Sequence, residues 1–302
     1  MKKGWYILNY HDINWEENVF MKGIGGTYPP DIFYKQMKLY ADNARLMSVE
    51  DAYKLYKNNQ ITEPIFSIWF DDGLAGNRKY ALPILEEFNT KAAISLNSDF
   101  FLHQDIFYGN KLSYILFNDG MRFLRTKLKT NGYYLNVNTS IKDFSKSNFD
   151  LKLNKIIDDL YNEMTNENIR KEAFKLYDNV ENIKTLIDHK WTITNHTKSH
   201  FPITNANCIH LFEAQFNLCE MEIEKAFNVN TEFWVLPFDR PDKSDNLEFI
   251  FNTINNNNNR NLVFVEDKIN LNNFKSNLLF RISVPYLEEK KLLDYIKNRK
   301  FA

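Results

Sequence analysis

A chain of 302 residues, 44% of them hydrophobic, can bury a full core, and its length allows one large domain or two small ones. Its 38 basic and 39 acidic residues leave a formal charge of −1, which gives no electrostatic footprint for nucleic acid, and no apolar stretch reaches the length of a membrane span. The only cysteines, Cys208 and Cys219, stand eleven apart in a segment with helical periodicity, too far along a helix for a bridge, which fits a reducing compartment.

The start, MKKGWYILNYHD, has two lysines, but Asn9 and His11 break its apolar run. It therefore lacks the h-region of a secretory signal, and a cytoplasmic protein is the expectation. Trp5 to Tyr10 reads as the first strand, ending at His11 and Asp12. After a polar loop to Pro29 and Pro30, Phe33, Met37, Tyr40 and Ala41 hold the spacing of a helix buried on one face. Ser48 with Asp51 resembles a capping box for a second helix through Ala52, Leu55 and Tyr56. Ile65 to Gly73, IFSIWFDDG, is too short for a helix and too apolar for a half-exposed strand. It reads as a buried parallel strand that delivers Asp71 and Asp72 at its carboxyl end. Adjacent strand residues point to opposite faces, so one carboxylate can bind a cation while its neighbour accepts a proton. Gly73 supplies a sharp turn into a helix carrying Ala81, Ile84, Leu85 and Phe88, which Pro83 kinks or delays. Ala92 to Leu96 is the next strand.

From about His103 to His189 Lys and Asn rise, apolar positions thin out, and LSYILF, FLRTKL and IIDDLYNEM read as helices. This is a mostly helical insertion, either a wall or lid over a site or a decoration without contact to substrate. Strand Trp191 to Thr194 then runs into Asn195, His196 and His200. Over one helical turn that spacing sets both imidazoles on one side, within reach of a single ion. Two histidines and a carboxylate make a three-ligand site with positions open to water and substrate, which suits hydrolysis. The same ligand set holds iron in oxygenases, but on an all-β scaffold that the helical stripes here argue against. Asn195 and Thr197 are expected to shape the turn that holds the imidazoles. His103, His189 and His210 lack a carboxylate at useful spacing and are expected on surfaces.

Phe212, Phe216, Cys219, Ile223 and Phe227 mark a long helix, followed by strand FWVL at 233–236 and the segment PFDRPD. The asparagine run at 255–259 reads as a loop. Asn261 to Val265 and Leu279 to Val284 are the last strands, and Pro285 precedes a terminal helix to about Asn298. Seven strands mostly separated by helices imply an α/β protein with a parallel sheet, and their number suggests a barrel, with chemistry gathered at the carboxyl ends of the strands. His11, Asp71, Asp72 and His196 stand at or near such ends, whereas Arg281 is mid-strand.

Five segments in order carry a resemblance to a known family: ILNYHDI at 7–13, SIWFDDGLAGNRKYALPILEEFNTKAAISL at 67–96, ITNHTKSH at 193–200, FWVLPFD at 233–239 and FRISVP at 280–285. Together they resemble the polysaccharide deacetylases, carbohydrate esterase family four with its NodB homology domain, and the opening looks like that of the branch acting on poly-N-acetylglucosamine. The resemblance implies a distorted seven-stranded (β/α) barrel across residues 1–302, interrupted by the helical insertion at about 103–189. It also implies a divalent metal, zinc above all with cobalt, nickel or manganese as other fits, and hydrolysis of an N-acetyl group on a sugar of a polysaccharide or glycan precursor. By position, Asp71 would be the general base, Asp72, His196 and His200 the metal ligands, and His11 the general acid. Backbone N–H near Pro237 and Phe238 would hold the oxyanion.

Trp69 stands where the family usually has threonine, Asp239 replaces the usual glycine after Pro-Phe, and the arginine of the commoner third motif is missing. Arg281 and Arg240 are the candidates to tune Asp71 in its place. The alternatives are a carbohydrate-binding relative without turnover, and a relative that removes a formyl or O-acetyl group, since the difference is small in an acyl pocket. With no export signal evident, the expected substrate is an intracellular precursor in making a cell-surface glycan.

Overall fold

Alternate residues of a strand face opposite sides of a sheet, and in this chain both faces of every long strand are apolar enough to be buried. In the computed structural model, which describes residues 1–134, 144, 147–204, 207–239, 248–250, 252–253, 260–272 and 277–301, the strands are β1 (Gly4–Tyr10), β2 (Asp12–Ile13), β3 (Thr27–Tyr28), β4 (Arg45–Leu46), β5 (Pro64–Phe70), β6 (Ala92–Leu96), β7 (Thr192–Asn195), β8 (Phe233–Asp239), β9 (Asn261–Val265), β10 (Lys268–Ile269), β11 (Leu278–Ser283) and β12 (Lys300–Phe301). Seven of these, β1, β5, β6, β7, β8, β9 and β11, pair in parallel in that order, and β11 returns to β1 to close a barrel. The short β4 adds a pair of residues to β5 outside the ring. The seven strands expected from the sequence are those of the barrel, and β8 alone runs well beyond its expected end, to Asp239.

Closure gives the two faces different partners. Trp5, Ile7, Ile65, Trp69, Ala93, Phe233, Val235, Val263 and Leu279 point inward and form one core, closed at the amino end by Tyr53 and Tyr56 of the helix Val49–Lys57. Their parity partners, among them Tyr6, Leu8, Phe66, Ile68, Phe70, Ile94 and Leu96, point outward. These pack beneath helices Pro30–Asn43, Leu82–Glu87, Val180–Asp188, Phe212–Phe227 and Glu289–Lys297. Burying each such side chain stabilises by roughly 1.5–3 kcal/mol relative to exposure.

Local chemistry sets where the helices begin. The backbone N–H of Asp51 donates to Ser48 Oγ at 3.1 Å, capping the helix at Val49. Pro83 occupies the second position of helix Leu82–Glu87, after a π-helical turn over Asn77–Ala81 that absorbs the register change. Both cysteines are free and buried; Cys219 lies within helix Phe212–Phe227, and Cys208 precedes it.

Between β6 and β7 the chain forms helices Ser98–Phe101, Tyr108–Phe117, Met121–Thr130, Leu151–Met164, Glu167–Phe174 and Val180–Asp188. Leu112, Ile115, Leu128, Ile157 and Leu160 build a separate core there, joined by Phe20 and Met21 from the segment between β2 and β3. This helical part is tied to the turn after β5: Asp178 N–H donates to the Gly73 carbonyl at 3.0 Å, and Ala75 N–H to that of Leu176 at 2.8 Å. The asparagine run at 255–259 lies outside the described residues. Among the described residues no helix is long and apolar enough to cross a membrane.

Gly76 sits where that turn passes under β2, and a Cβ added there would fall inside contact distance of the Ile13 carbonyl oxygen. Backbone cannot give way as a side chain tip can. Gly76→Ala is therefore expected to destabilise by about 1–3 kcal/mol, read as a lower urea midpoint at unchanged m-value.

Candidate functional site

The register Tyr10↔Phe70 brings β1 and β5 to the same height, so His11 and Asp71 emerge side by side, and Asp71 N–H extends the ladder to the Tyr10 carbonyl at 3.0 Å. Asp71 keeps the inward parity of Ile65, Ser67 and Trp69. Its Oδ1 accepts from Arg281 Nη1 at 2.6 Å and from Ser95 Oγ at 2.8 Å. Arg281 is 1% exposed and reaches up from the middle of β11, and the same Nη1 donates to Asn9 Oδ1 at 2.7 Å. Burial alone would raise the pKa of Asp71, but the Arg281 guanidinium outweighs it and holds the carboxyl well below the usual range. Of the two tuning candidates, Arg281 thus contacts Asp71, while Arg240 lies outside the described residues.

Asp72 departs from the expected geometry. β5 ends at Phe70, so strand pleating does not separate the two carboxylates; Asp72 does so itself, with a left-handed backbone at φ 70°, followed by Gly73 at φ 68°. Its Oδ1 lies 3.5 Å from His196 Nε2 and 3.3 Å from His200 Nε2.

The two histidines are not on a helical turn, contrary to the expectation from their spacing; residues 196–200 form a loop. Asn195 Oδ1 accepts from Thr197 N–H at 3.0 Å, and Thr197 Oγ1 from His200 N–H at 3.1 Å, so Asn195 and Thr197 do shape the turn. Thr197 at φ 72° and His200 at φ 55° fold it back until the imidazole centroids stand 4.7 Å apart.

His196 Nδ1 lies 2.9 Å from the Val235 carbonyl, which can only accept; the proton is therefore on Nδ1, and Nε2 turns a lone pair toward Asp72. Burial lowers the pKa of His196 and, with His196 as a neighbour, lowers that of His200 far more, so both rings are neutral. A lone pair facing a carboxylate oxygen is repulsive, and a cation between them makes the arrangement attractive. The residues fit such an ion. Two ligands at tetrahedral zinc stand about 3.4 Å apart, given bonds of about 2.0–2.2 Å. The ligand atoms of Asp72, His196 and His200 all lie within 4.8 Å of one another, and two imidazoles with one carboxylate suit zinc and its divalent neighbours.

These groups share a cleft of about 270 Å³ at the carboxyl ends of the barrel strands, with His11 and Arg281 also in its lining. One side is apolar. Leu236 comes from β8, Val284 follows β11, Tyr28 comes from β3 outside the ring, and Phe107 with Gly109 from the helical segment between β6 and β7, which thereby lines the cleft. The ladder of β8 slips register between Val235 and Asp239, and Phe238 within this irregularity takes φ 62°. Its ring lies 5.0 Å from that of His200. Pro237 is buried beside it and has no N–H, so of these two residues only Phe238 can offer an amide.

His11 is half-buried at the cleft, with its carbonyl held by Asn77 Nδ2 at 2.7 Å. His210 is exposed, and His103 stacks on Phe174 at 5.2 Å. His189, expected to lack a carboxylate, has one: Glu86 Oε1 lies 2.5 Å from its Nδ1, brought across from another helix at the surface. Asn9, Ser95 and the inward face of Trp69 were missed as parts of the site. The available signal was parity: Trp69 and Asp71 are two apart on one strand and must share a face.

No family model matches the sequence, and no curated protein matches it. Solved structures do. The chain is similar over 97% of its length to the Streptococcus pyogenes deacetylase PplD in complex with acetate, at TM-score 0.61, 16% identity and 98% coverage of that chain. It is similar over 96% to a de-N-acetylase from Aggregatibacter actinomycetemcomitans, at TM-score 0.60, 11% identity and 99% coverage of that chain. A polysaccharide deacetylase from Bacillus cereus matches over 97% of this chain and 69% of its own, at TM-score 0.56 and 13% identity. The fold is that of the polysaccharide deacetylases, as the sequence motifs imply.

Calorimetric titration of chelator-stripped protein with zinc is expected to show one tight site. His200→Ala should weaken it by about a hundredfold or more, since removing even an outer partner of a metal ligand costs about 10–100-fold.

Proposed function

We propose that the chain is a metal-dependent hydrolase that removes the N-acetyl group from a sugar of a polysaccharide or glycan precursor. The observation that carries this reading is the pairing, in one cleft, of an Asp-His-His cation cradle with a separate buried carboxylate held ionised by an arginine. A divalent cation held by Asp72, His196 and His200 would polarise the acyl carbonyl and lower the pKa of water to about 7.

The chain's own groups divide the remaining work. Asp71 takes the proton of the attacking water on Oδ2, the oxygen that neither Arg281 nor Ser95 occupies. A carboxylate held this firmly ionised is a weak base, but it is never lost to protonation, and a water acidified nearby needs no stronger one. The Phe238 amide supports the oxyanion that forms on the acyl oxygen as water adds to the acyl carbon. His11, which lines the same cleft beside Asp71, gives a proton to the departing amine, so that amide and water become acetate and a free amino sugar. The apolar side formed by Phe107 and Leu236 suits the acetyl methyl.

The known functions of the structural neighbours support the same class of reaction, and the intact carboxylate pair argues against a protein that only binds sugar. Removal of a formyl or O-acetyl group would use the same machinery, so the substrate panel should include all three acyl groups.

With zinc loaded, acetate release from N-acetylated sugars is the expected result. Asp71→Asn should abolish it while keeping the metal, and His11→Ala should lower kcat by about 10²–10⁴-fold. Zinc bound with no hydrolysis of any substrate in a broad panel would overturn the reading.

A further inference from the structure

Trp69 departs from the motif around it, and the preceding mechanism leaves it unused. It is 0% exposed, and Ser95 beside it on β6 is equally buried. The indole Nε1 lies 2.7 Å from Ser95 Oγ, which in turn lies 2.8 Å from Asp71 Oδ1. An indole N–H can only donate. It therefore occupies one lone pair of the serine oxygen. Thr194 Oγ1 lies 3.1 Å from the serine oxygen and 3.2 Å from the Ile94 carbonyl, to which its hydroxyl can donate instead. With the indole N–H on one lone pair and an ionised carboxylate, which can only accept, at 2.8 Å, the hydroxyl proton of Ser95 points toward Asp71.

Direction matters here because the last torsion of an aspartate is soft and broad, so a carboxylate does not orient itself. Arg281 Nη1 bonds the same Oδ1 at 2.6 Å, and two donors on one oxygen turn the other to the cleft that Asp71 lines. We propose that Trp69, acting through Ser95, is a positioning residue for Asp71: its N–H points the serine hydroxyl at Oδ1 and so keeps Oδ2 facing the reacting water. This rests on the reading of Asp71 as general base. A purely space-filling tryptophan would need only its ring, which packs against Phe233 at 5.6 Å and under the Arg281 guanidinium at 5.5 Å. Trp69→Phe keeps a ring there and removes the N–H.

The test is a double-mutant cycle on the zinc-loaded full chain, with Ser95→Ala, Trp69→Phe and both together. Ser95→Ala is expected to lower kcat by about 10–100-fold, the range for a hydrogen bond to a charged group, and Trp69→Phe by about 3–30-fold. KM and zinc content should stay within about twofold, and the double variant should match Ser95→Ala alone, because Trp69 acts only through the serine. Unchanged kcat in both single variants, or an additive loss in the double, overturns the proposal. If Trp69→Phe does not fold, Trp69→Leu, which also lacks the N–H, takes its place in the cycle.

Crystal structures of the same variants give a readout independent of turnover. The Asp71 carboxylate should rotate by more than about 30° from its native setting. An unmoved carboxylate overturns the proposal, even if no sugar in the panel is hydrolysed. A dead Asp71→Asn beside fully active Ser95→Ala and Trp69→Phe would leave the proposed function standing and remove this inference alone.

Discussion

The buried pair of Asp71 and Arg281 is the interaction on which the rest of the centre depends. Taking two charges out of water costs several kcal/mol per ion, and proximity returns this only when the geometry is close and the remaining polar atoms are satisfied. Here the contact is 2.6 Å, with Asn9 and Ser95 as further partners, while Arg281 Nε is buried without one among the described residues. Arg281 arrives because β11 closes the ring against β1, in the register Ile7↔Arg281. An open sheet with the same strands would leave that arginine at one edge and the aspartate away from it. Barrel closure and the ionised state of Asp71 are thus one requirement.

Around this pair the centre is assembled from backbone that a regular strand or helix does not provide. Asp72, Thr197, His200 and Phe238 all have positive φ, in the left-handed region that costs an L-residue roughly 1–2 kcal/mol. Such residues persist where their surroundings over-determine them. The surroundings here are specific: Gly73 is held by Asp178, Thr197 by Asn195, and the loop after His196 by Lys198 N–H on the Gln215 carbonyl at 3.0 Å. The helical segment between β6 and β7 therefore does more than line the cleft. Through Asp178 and Leu176 it steadies the turn that carries Asp72. With these left-handed positions two imidazoles and a carboxylate converge on one cleft that Phe238 also lines, a convergence that straight strand ends cannot reach.

The inward face above the apolar core is a polar layer set by strand parity, with Asn9, Asp71, Ser95 and Arg281 buried on it together with Thr194. Below it the same face is Trp5, Ile65 and Phe233. Trp69 stands at the boundary, apolar toward Phe233 and polar through its N–H toward Ser95. This explains how a large indole is accommodated where the family motif has a small hydroxyl residue: its donor still has a polar partner in the layer above.

The chain by itself determined the seven strands, the helical stripes and the residues that gather at the carboxyl ends, because apolar runs, periodicity and caps are local properties readable from one segment at a time. Asp71, Asp72, His196 and His200 were legible as a group through their placement after apolar strands and the motifs around them. What the tertiary structure decided was every relation between segments. It chose Arg281 from mid-strand as the partner of Asp71, replaced an expected helical turn by a strained loop, linked Trp69 to Asp71 through Ser95, and brought Glu86 to His189. These contacts join residues far apart in the chain, and only closure of the barrel, with its fixed register between neighbouring strands, sets which side chains come within bonding distance.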